Sequence, residues 1–484
     1  MSSVTFPTDL GGDGSTVTDD NNPNTGLDDG GHITRFVPAL AQTVIMARTA
    51  ADKAALAKSA ADSAFQARML AEAAAADAAA MNLAVPTAMP FIRPSLLLDF
   101  ANSESVDVRV TFSRASSAMR VNRNGFLESV AANVPRIEYD RLTGLCQGLL
   151  IEESRTNQLT YSSDFSNASW AKNSGSTATA PITAPDGSTT AYMITSVDEA
   201  GVQQNSSASI GTIYCQSVYI KLGAGTCTSL RLRDPQGSSH EIIISTQTGE
   251  ISGQSNVISS GAHFYVNNWC RVWMVYQADT TATMCNIRPH NQAGSTTFYI
   301  WEAGIEVGLF PTSPIRTTSA AVTRSADVAS ITGTDFSSWF RADEGTMFVN
   351  AIKHCTVSGS MGVYRFDDGS DLNRIMVRAN GSGGLEYRVI GADSGSATLD
   401  SGNVLVVSAE FSHAGSYKIN SFLSAFNGGN ALSDTSGAVP AGMNRILIGE
   451  TAGNGTVFLN GCITSLAYYP KQLTSTENLA GTAL

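Results

Sequence analysis

Two different patterns of apolar and polar positions divide the chain. Between Ala47 and Ala80, 18 of 34 positions are alanine, and neither glycine nor proline interrupts them. Because alanine is the strongest helix former, this pattern predicts one long helix over 36–83. From residue 96 to the C-terminus, short alternating or apolar segments are separated by Gly, Asn, Asp and Ser. That second pattern predicts β-strands joined by tight turns.

The predicted helix would span roughly 65 Å at about 1.5 Å per residue. Small apolar side chains recur along it in steps of three and four, which predicts a coiled-coil seam between copies of the chain. A long solvated helix packed against its own domain is the alternative, and the seam does not fix the number of strands. The seam positions are Ala47, Ala50, Ala54, Ala57, Ala61, Ala64 and Ala71.

The predicted fold class is mostly β with an N-terminal long α-helix. An Ala-rich coiled-coil shaft is followed by a small β module and two jelly-roll-like β-sandwiches. The predicted segments are an acidic arm rich in Gly, Asp and Asn (1–35), the helix (36–83), a Pro-containing linker (84–95), the β module (96–170), a first sandwich (171–316), a second linker (317–332) and a second sandwich (333–484).

Composition and charge exclude several functions. The formal net charge is −12, and six aspartates precede Gly31 with no basic patch anywhere, so we expect no nucleic-acid partner. No apolar run reaches membrane length, so we expect no membrane insertion. The chain opens without a signal peptide, which predicts synthesis in a reducing cytoplasm. The seven cysteines form no Cys-x-x-Cys pair, so neither a zinc site nor a disulfide framework is predicted, and no cofactor is expected.

One predicted strand, Trp269–Ala278, carries candidate binding chemistry. Alternation places Trp269, Arg271 and Trp273 on one face, where two indoles flank a guanidinium. Such a face could stack on sugar rings and hydrogen-bond their hydroxyls, which makes these three residues the candidate glycan-binding site. The alternative is that the indoles pack under a loop or against a neighbouring subunit.

One acidic loop is a weak candidate for calcium. Asp367, Asp368 and Asp371 lie close together in sequence, but hairpin tips favour the same residue types. A plain turn is the preferred interpretation, and no metal site is predicted. The six histidines are scattered, and no nucleophile elbow, metalloprotease helix or phosphate loop occurs. The sequence therefore predicts no enzymatic activity.

Several separated motifs follow one another in a fixed order: Phe112–Ser116, Asn124-Gly125, Pro135-Arg136, Gly148–Asn157 and Tyr161–Trp170. This series resembles a module of tailed-bacteriophage tail fibre and virion structural proteins. In those proteins the module leads into a carbohydrate-binding-like β-sandwich, and Trp301–Gly308 resembles the closing strand of the same sandwiches.

Four residues of the series could form a catalytic cluster: Arg114, Glu152, Arg155 and Asn157. A buried polar network that fixes the loops is the preferred interpretation.

The C-terminal region is similar to the concanavalin-like, laminin-G-type sandwich that ends many phage fibres. The similarity rests on Gly345–Val349, Ile446–Gly449 and Gly461–Pro470. The resemblance implies a virion tail-fibre subunit, a homotrimer, anchored to the tail or baseplate through residues 1–35. It also implies that the distal sandwiches bind host cell-surface polysaccharide. The alternatives are a virion-associated glycan depolymerase or esterase, and a purely architectural fibre.

Overall fold

The computed structural model describes residues 3–8, 13–18, 43 and 93–483, apart from 356–360, 393–394 and 454. The chain divides into two compact units, Met1–Thr87 and Ala88–Leu484. In the first unit, β1 (Ser3–Thr5) and β2 (Thr16–Thr18) form an antiparallel pair. The predicted coiled-coil helix, including every alanine of its seam, lies outside the described residues.

The second unit begins with short strands and one helical turn. They are β3 (Leu96–Asp99), α1 (Phe100–Ser103), β4 (Thr111–Ser113), β5 (Ala118–Val121), β6 (Leu127–Val130), β7 (Ile137–Tyr139), β8 (Cys146–Ile151) and β9 (Arg155–Asn157).

A first sandwich follows. Its strands are β10 (Ala171–Lys172), β11 (Thr177–Ile182), β12 (Ala191–Val197), β13 (Val202–Ser207), β14 (Ile213–Lys221), β15 (Ser229–Asp234), β16 (His240–Ser245), β17 (Ile251–Ser255), β18 (Ser259–Tyr265), β19 (Trp269–Gln277), β20 (Ala282–Pro289) and β21 (Ser295–Val307).

The remaining elements belong to the C-terminal part. They are β22 (Val322–Arg324), β23 (Val328–Thr332), α2 (Gly333–Ser337), β24 (Glu344–Lys353), β25 (Met361–Asp367), β26 (Arg374–Ala379), β27 (Gly384–Gly391), β28 (Gly395–Val404), β29 (Glu410–Lys418), β30 (Ser421–Phe426), β31 (Leu432–Asp434), β32 (Arg445–Ile448), β33 (Gly461–Tyr469) and α3 (Ser475–Thr482).

Two six-stranded antiparallel sheets form the first sandwich, in the orders β10-β13-β20-β15-β16-β17 and β11-β12-β21-β14-β19-β18. Strict alternation builds their shared core. Leu230 and Leu232 of β15 point inward and are buried, whereas Arg231 and Arg233 between them point to the outer face. The inward residues pack against Met274 and similar side chains of the other sheet, so apolar burial holds the two layers together.

The second sandwich packs a seven-stranded sheet, β28-β27-β26-β25-β32-β23-β4, on an eight-stranded one, β31-β30-β29-β24-β33-β8-β7, with β3 also paired to β33. Met347 and Leu466 of one sheet and Phe366 and Ile446 of the other share its core. All strand pairs named above are antiparallel, so the prediction of a mostly β chain is confirmed for the described residues. None of the described helices is long and apolar enough to cross a membrane.

The segment predicted as a separate module, 96–170, is divided between the two sandwiches. Its strands β3 and β8 pair with β33, and β4 pairs with β23. Its last part, including Phe165 and Trp170, is buried in the core of the first sandwich. The predicted linker 317–332 likewise contains β22, which pairs with β9, and β23, an interior strand of the seven-stranded sheet. Pairing partners more than 100 residues away decide these positions, and no local pattern reports them.

Candidate functional site

The predicted sugar-stacking residues are buried in strand β19. Trp269 is 0% exposed, Trp273 3% and Arg271 4%. The Trp269 Nε1–H donates to the Thr183 carbonyl at 3.2 Å, and its ring lies in a buried cluster with Trp301. A sugar ring stacks only on an exposed indole face, so β19 provides no stacking platform.

The segment that follows β21 explains this correction. Arg271 donates to the Thr312 carbonyl at 2.5 Å and to the Ser217 hydroxyl at 2.9 Å. Trp273 packs beside Cys215, with Leu309 against the same cluster. The segment after β21 therefore covers the second face of β19 at Arg271 and Trp273. These side chains pack under a loop, which is the alternative interpretation of the sequence pattern.

The acidic loop after β25 is occupied by arginines. Asp367 is fully buried and accepts from Arg445 Nε at 2.5 Å and from Arg365. Asp371 accepts from Arg365 Nη1 at 2.8 Å, and Asp368 bonds within its own turn. Among the described residues, no group of three or more His, Cys, Asp or Glu could hold a metal ion. This loop is therefore a hairpin tip whose carboxylates neutralise guanidinium groups.

The motif residues Arg114 and Glu152 belong to a buried ionic cluster, which also contains Arg136, Arg324 and Asp327. Asp327 accepts from Arg114 Nη1 at 2.9 Å and also from Arg136, and Arg136 donates to Glu152 at 2.7 Å. Burial by itself would raise the pKa of Glu152, but Arg324 and Arg136 hold it well below its usual range. Both carboxylates of the cluster are thus bonded to arginines, as a structural network requires.

The other two motif residues are also structural. Arg155 donates to Glu153 at 2.6 Å and to the Val307 carbonyl. The Asn157 amide donates to the carbonyls of Ala303 and Ile315 at 3.1 and 2.9 Å. The preferred interpretation of these motif residues as a loop-fixing polar network is confirmed by these bonds.

A cavity of about 60 Å³ lies next to the buried ionic cluster and is lined in part by its member Glu152. His263, His354 and Glu138 also line it. Burial raises the pKa of Glu138 to about 7 and lowers the pKa of His354 to about 4. A space of this size accommodates a few ordered waters and not a sugar ring. It therefore holds titratable groups without room for a glycan substrate.

An open depression lies at the edge of the first sandwich, beside β10 and β13. Its volume is about 370 Å³, and carboxamide and hydroxyl groups predominate on its walls. The Gln204 carboxamide is fixed, since it accepts from the Thr160 amide at 2.7 Å and donates to the Thr160 carbonyl at 2.9 Å. Here this depression is called the amide groove, lined by Gln158, Thr160, Ser169, Ala171, Gln203, Gln204 and Asn205.

A polar row leads from the groove across the outer face of the sheet. Gln203 stands opposite Asn286, Asn286 opposite Arg233, and Arg233 opposite Glu241. The Asn286 Nδ2 donates to the Gln203 Oε1 at 2.7 Å, which joins the row to the groove. Residues directly opposite on adjacent strands have Cβ atoms about 4.5–5.5 Å apart, so the row is continuous over four strands. Amides, a guanidinium and a carboxylate on an open face can bond both donors and acceptors of a polar ligand.

Sequence reasoning missed both the amide groove and the polar row. No strand was predicted over 202–207, because its residues are polar on both faces. The available signals were the carboxamide run Gln203–Asn205 and the alternation of Arg231 and Arg233 on a predicted strand. Neither signal distinguishes a binding face from an ordinary solvated face.

Comparison with known proteins gives only distant similarities. No family model matches the chain, and no curated protein sequence matches it. Three of the solved structures that are similar in part are the following. The CBM40 of a Ruminococcus gnavus IT-sialidase, bound to α2,3-sialyllactose, is 18% identical, with 30% of this chain and 84% of that chain covered and a TM-score of 0.26. The NanB sialidase of Streptococcus pneumoniae is 12% identical over 31% of this chain and 25% of that chain, with a TM-score of 0.27. The CBM22 tandem domain of Paenibacillus barcinonensis Xyn10C is 12% identical over 67% of this chain and 99% of that chain, with a TM-score of 0.23. Scores this low indicate no function.

Proposed function

We propose that the chain is a tail-fibre subunit of a tailed bacteriophage that binds host surface glycan through its first β-sandwich. The observation that carries the binding site is the amide groove, with the polar row that continues it across the outer sheet face. The motif resemblance supports the virion location, the homotrimer and the attachment of residues 1–35 to the tail or baseplate, and the alanine-rich pattern supports the coiled-coil shaft.

The chemistry of the groove suits a glycan. Sugars present hydroxyls that donate and accept, and a carboxamide provides both an acceptor and two donors at one position. Gln203 and Asn205 place two carboxamides on the same outer face of β13, and the Gln203 carboxamide is already oriented by the Asn286 Nδ2, which donates to it at 2.7 Å. An oriented group loses less side-chain entropy on binding, so its hydrogen bonds contribute more to affinity.

One open groove of this kind gives weak binding, and multivalency increases it. In a trimer, three grooves would face one polysaccharide, and the second and third contacts form at high effective concentration. Firm adhesion therefore needs no deep pocket.

We also propose that the protein binds glycan without cleaving it. The buried carboxylates of Glu152 and Asp367 are bonded to arginines, and the cavity beside Glu138 has space for a few waters only. Glycan cleavage needs two carboxyl groups on either side of a bound sugar. On the outer sheet face, Glu241 is paired with Arg233 and Glu199 with Arg288, so each carboxylate there has an arginine beside it.

The test is binding of the full chain to an array of bacterial surface polysaccharides. We expect the double variant Gln203→Ala, Asn205→Ala to bind at least tenfold more weakly than the unmodified chain. The matched control is Gln247→Ala, an exposed amide in a turn of the same sandwich, which should bind unchanged. Absence of binding by the unmodified chain, or equal binding by the double variant, would contradict the proposal. Shortening of the bound polysaccharide during incubation would favour the depolymerase alternative.

A further inference from the structure

Three arginines lie close together on the outer sheet face, and one of them, Arg233, belongs to the polar row. Arg231 of β15 stands directly opposite Arg288 of β20, and Arg233 lies two residues from Arg231 on the same face. Their side chains are 18%, 28% and 26% exposed, so all three reach solvent. Like charges directly opposite on adjacent strands repel each other, so this arrangement costs stability unless an anion lies near it.

The carboxylates on this face neutralise the arginines only in part. Glu241 is 3.7 Å from Arg231 and 3.6 Å from Arg233, beyond hydrogen-bond distance, and Glu199 is 3.4 Å from Arg288. Three cations and two anions leave one positive charge in excess. Burial lowers the pKa of Arg288, and the guanidinium groups of Arg231 and Arg233 lower it further, with Glu199 opposing them.

Several polar atoms of this face lack hydrogen-bond partners. The structure gives the three guanidinium groups one hydrogen bond each, to His290, Ser239 and Glu199, although each group carries five N–H donors. Among the described residues, the Nε atoms of Arg231 and Arg288 and the Oδ1 of Asn286 are buried and unpartnered. The exposed parts of the three guanidinium groups keep further N–H donors, so this face is suited to a ligand that supplies several acceptors.

We propose that this face selects glycans that carry a carboxylate. Arg288, Arg231 and Arg233, here called the arginine triad, bind the sugar carboxylate, while the amide groove binds the hydroxyls of neighbouring residues. A guanidinium suits a carboxylate because its parallel N–H groups match the two oxygens. This inference rests on the proposed glycan-binding function and specifies the substrate class of the same face.

The experiment compares acidic probes with neutral counterparts, using the full chain. Trigalacturonate and its carboxyl-reduced form test a uronic acid, and 3′-sialyllactose and lactose test a nonulosonic acid. We expect at least one acidic probe to bind tenfold or more tightly than its neutral counterpart, with the preference falling as salt increases. Arg288→Gln with Arg233→Gln should abolish the preference. The control is Arg378→Gln, which removes an arginine of similar exposure, 27%, from the second sandwich.

The outcomes separate this inference from the proposed function. Equal affinity for acidic and neutral probes, lost in the Gln203→Ala, Asn205→Ala variant, overturns the arginine triad and leaves glycan binding in place. A preference that survives the double arginine variant also overturns it. Binding to no probe and to no polysaccharide of the array contradicts both proposals.

Discussion

Removing the negative charge of Asp327 tests how the N-terminal motifs are joined to the second sandwich. The Asp327 carboxylate is fully buried and accepts from Arg114, from Arg136 and from the Glu152 backbone amide at 2.9 Å. Asp327→Asn keeps the size of the side chain but leaves two buried guanidinium groups with less counter-charge. Breaking a buried ion pair in this way costs about 3–5 kcal/mol.

The assay is hydrogen exchange of the full chain, followed in peptides that contain β8 and β23. Because local opening limits exchange, a cost of about 3–5 kcal/mol corresponds to exchange roughly two to four orders of magnitude faster there. Asp343→Asn is the control, because its partner Arg341 is 46% exposed and Asp343 itself 69%; it should leave exchange unchanged. An acceleration of less than tenfold in Asp327→Asn would refute the assignment of the cluster as a network that stabilises these strands.

Three further predictions concern stability and the corrected site. Burial raises the pKa of Glu138 to about 7, so its contribution to stability is fully present below about pH 4.5 and is lost as the pH rises through 7. Glu138→Gln should therefore raise the free energy of unfolding at pH 8 by up to about 3 kcal/mol and leave it unchanged at pH 4. An equal gain at both pH values would contradict this. Gly148 has φ +100°, and a Cβ there would lie 2.2 Å from the Ile463 carbonyl oxygen. Gly148→Ala should therefore lower the free energy of unfolding, measured in urea, by more than about 3 kcal/mol. The control Gly187→Ala, at φ +78° in open space, should lower it by about 1–2 kcal/mol. The Trp273 Nε1 is buried without a partner among the described residues, so Trp273→Phe should cost under about 2 kcal/mol and leave glycan affinity within twofold; a tenfold loss would restore the original stacking hypothesis.

Local patterns were sufficient for strands that bury at least one regular face. The predicted strand Trp269–Ala278 extends one residue beyond β19, and β14 is a second strand of the same kind. Both segments are rich in β-branched and aromatic residues, whose preference for strands agrees with their burial. The polar strands β13 and β17 were missed because their sequences lack that agreement between composition and burial.

Long-range pairing explains the remaining errors. Leu96 pairs with Tyr468 and Val328 with Ser113, so the boundaries of the second sandwich depend on residues far apart in the chain. Alternation correctly separated the two faces of β19. It could not show that distant parts of the chain cover the second face, where Trp269 bonds to Thr183 and Arg271 to Thr312. The same limitation hid the polar row, since its members come from four strands and meet only in the folded sheet.

The most direct measurement is a hydrogen-exchange footprint of the full chain, with and without the polysaccharide that binds most tightly on the array. We expect slower exchange in peptides covering β13, β15 and β20, and unchanged exchange in β19. Protection confined to β24–β33, or no protection in the sheet that carries the amide groove, would contradict it.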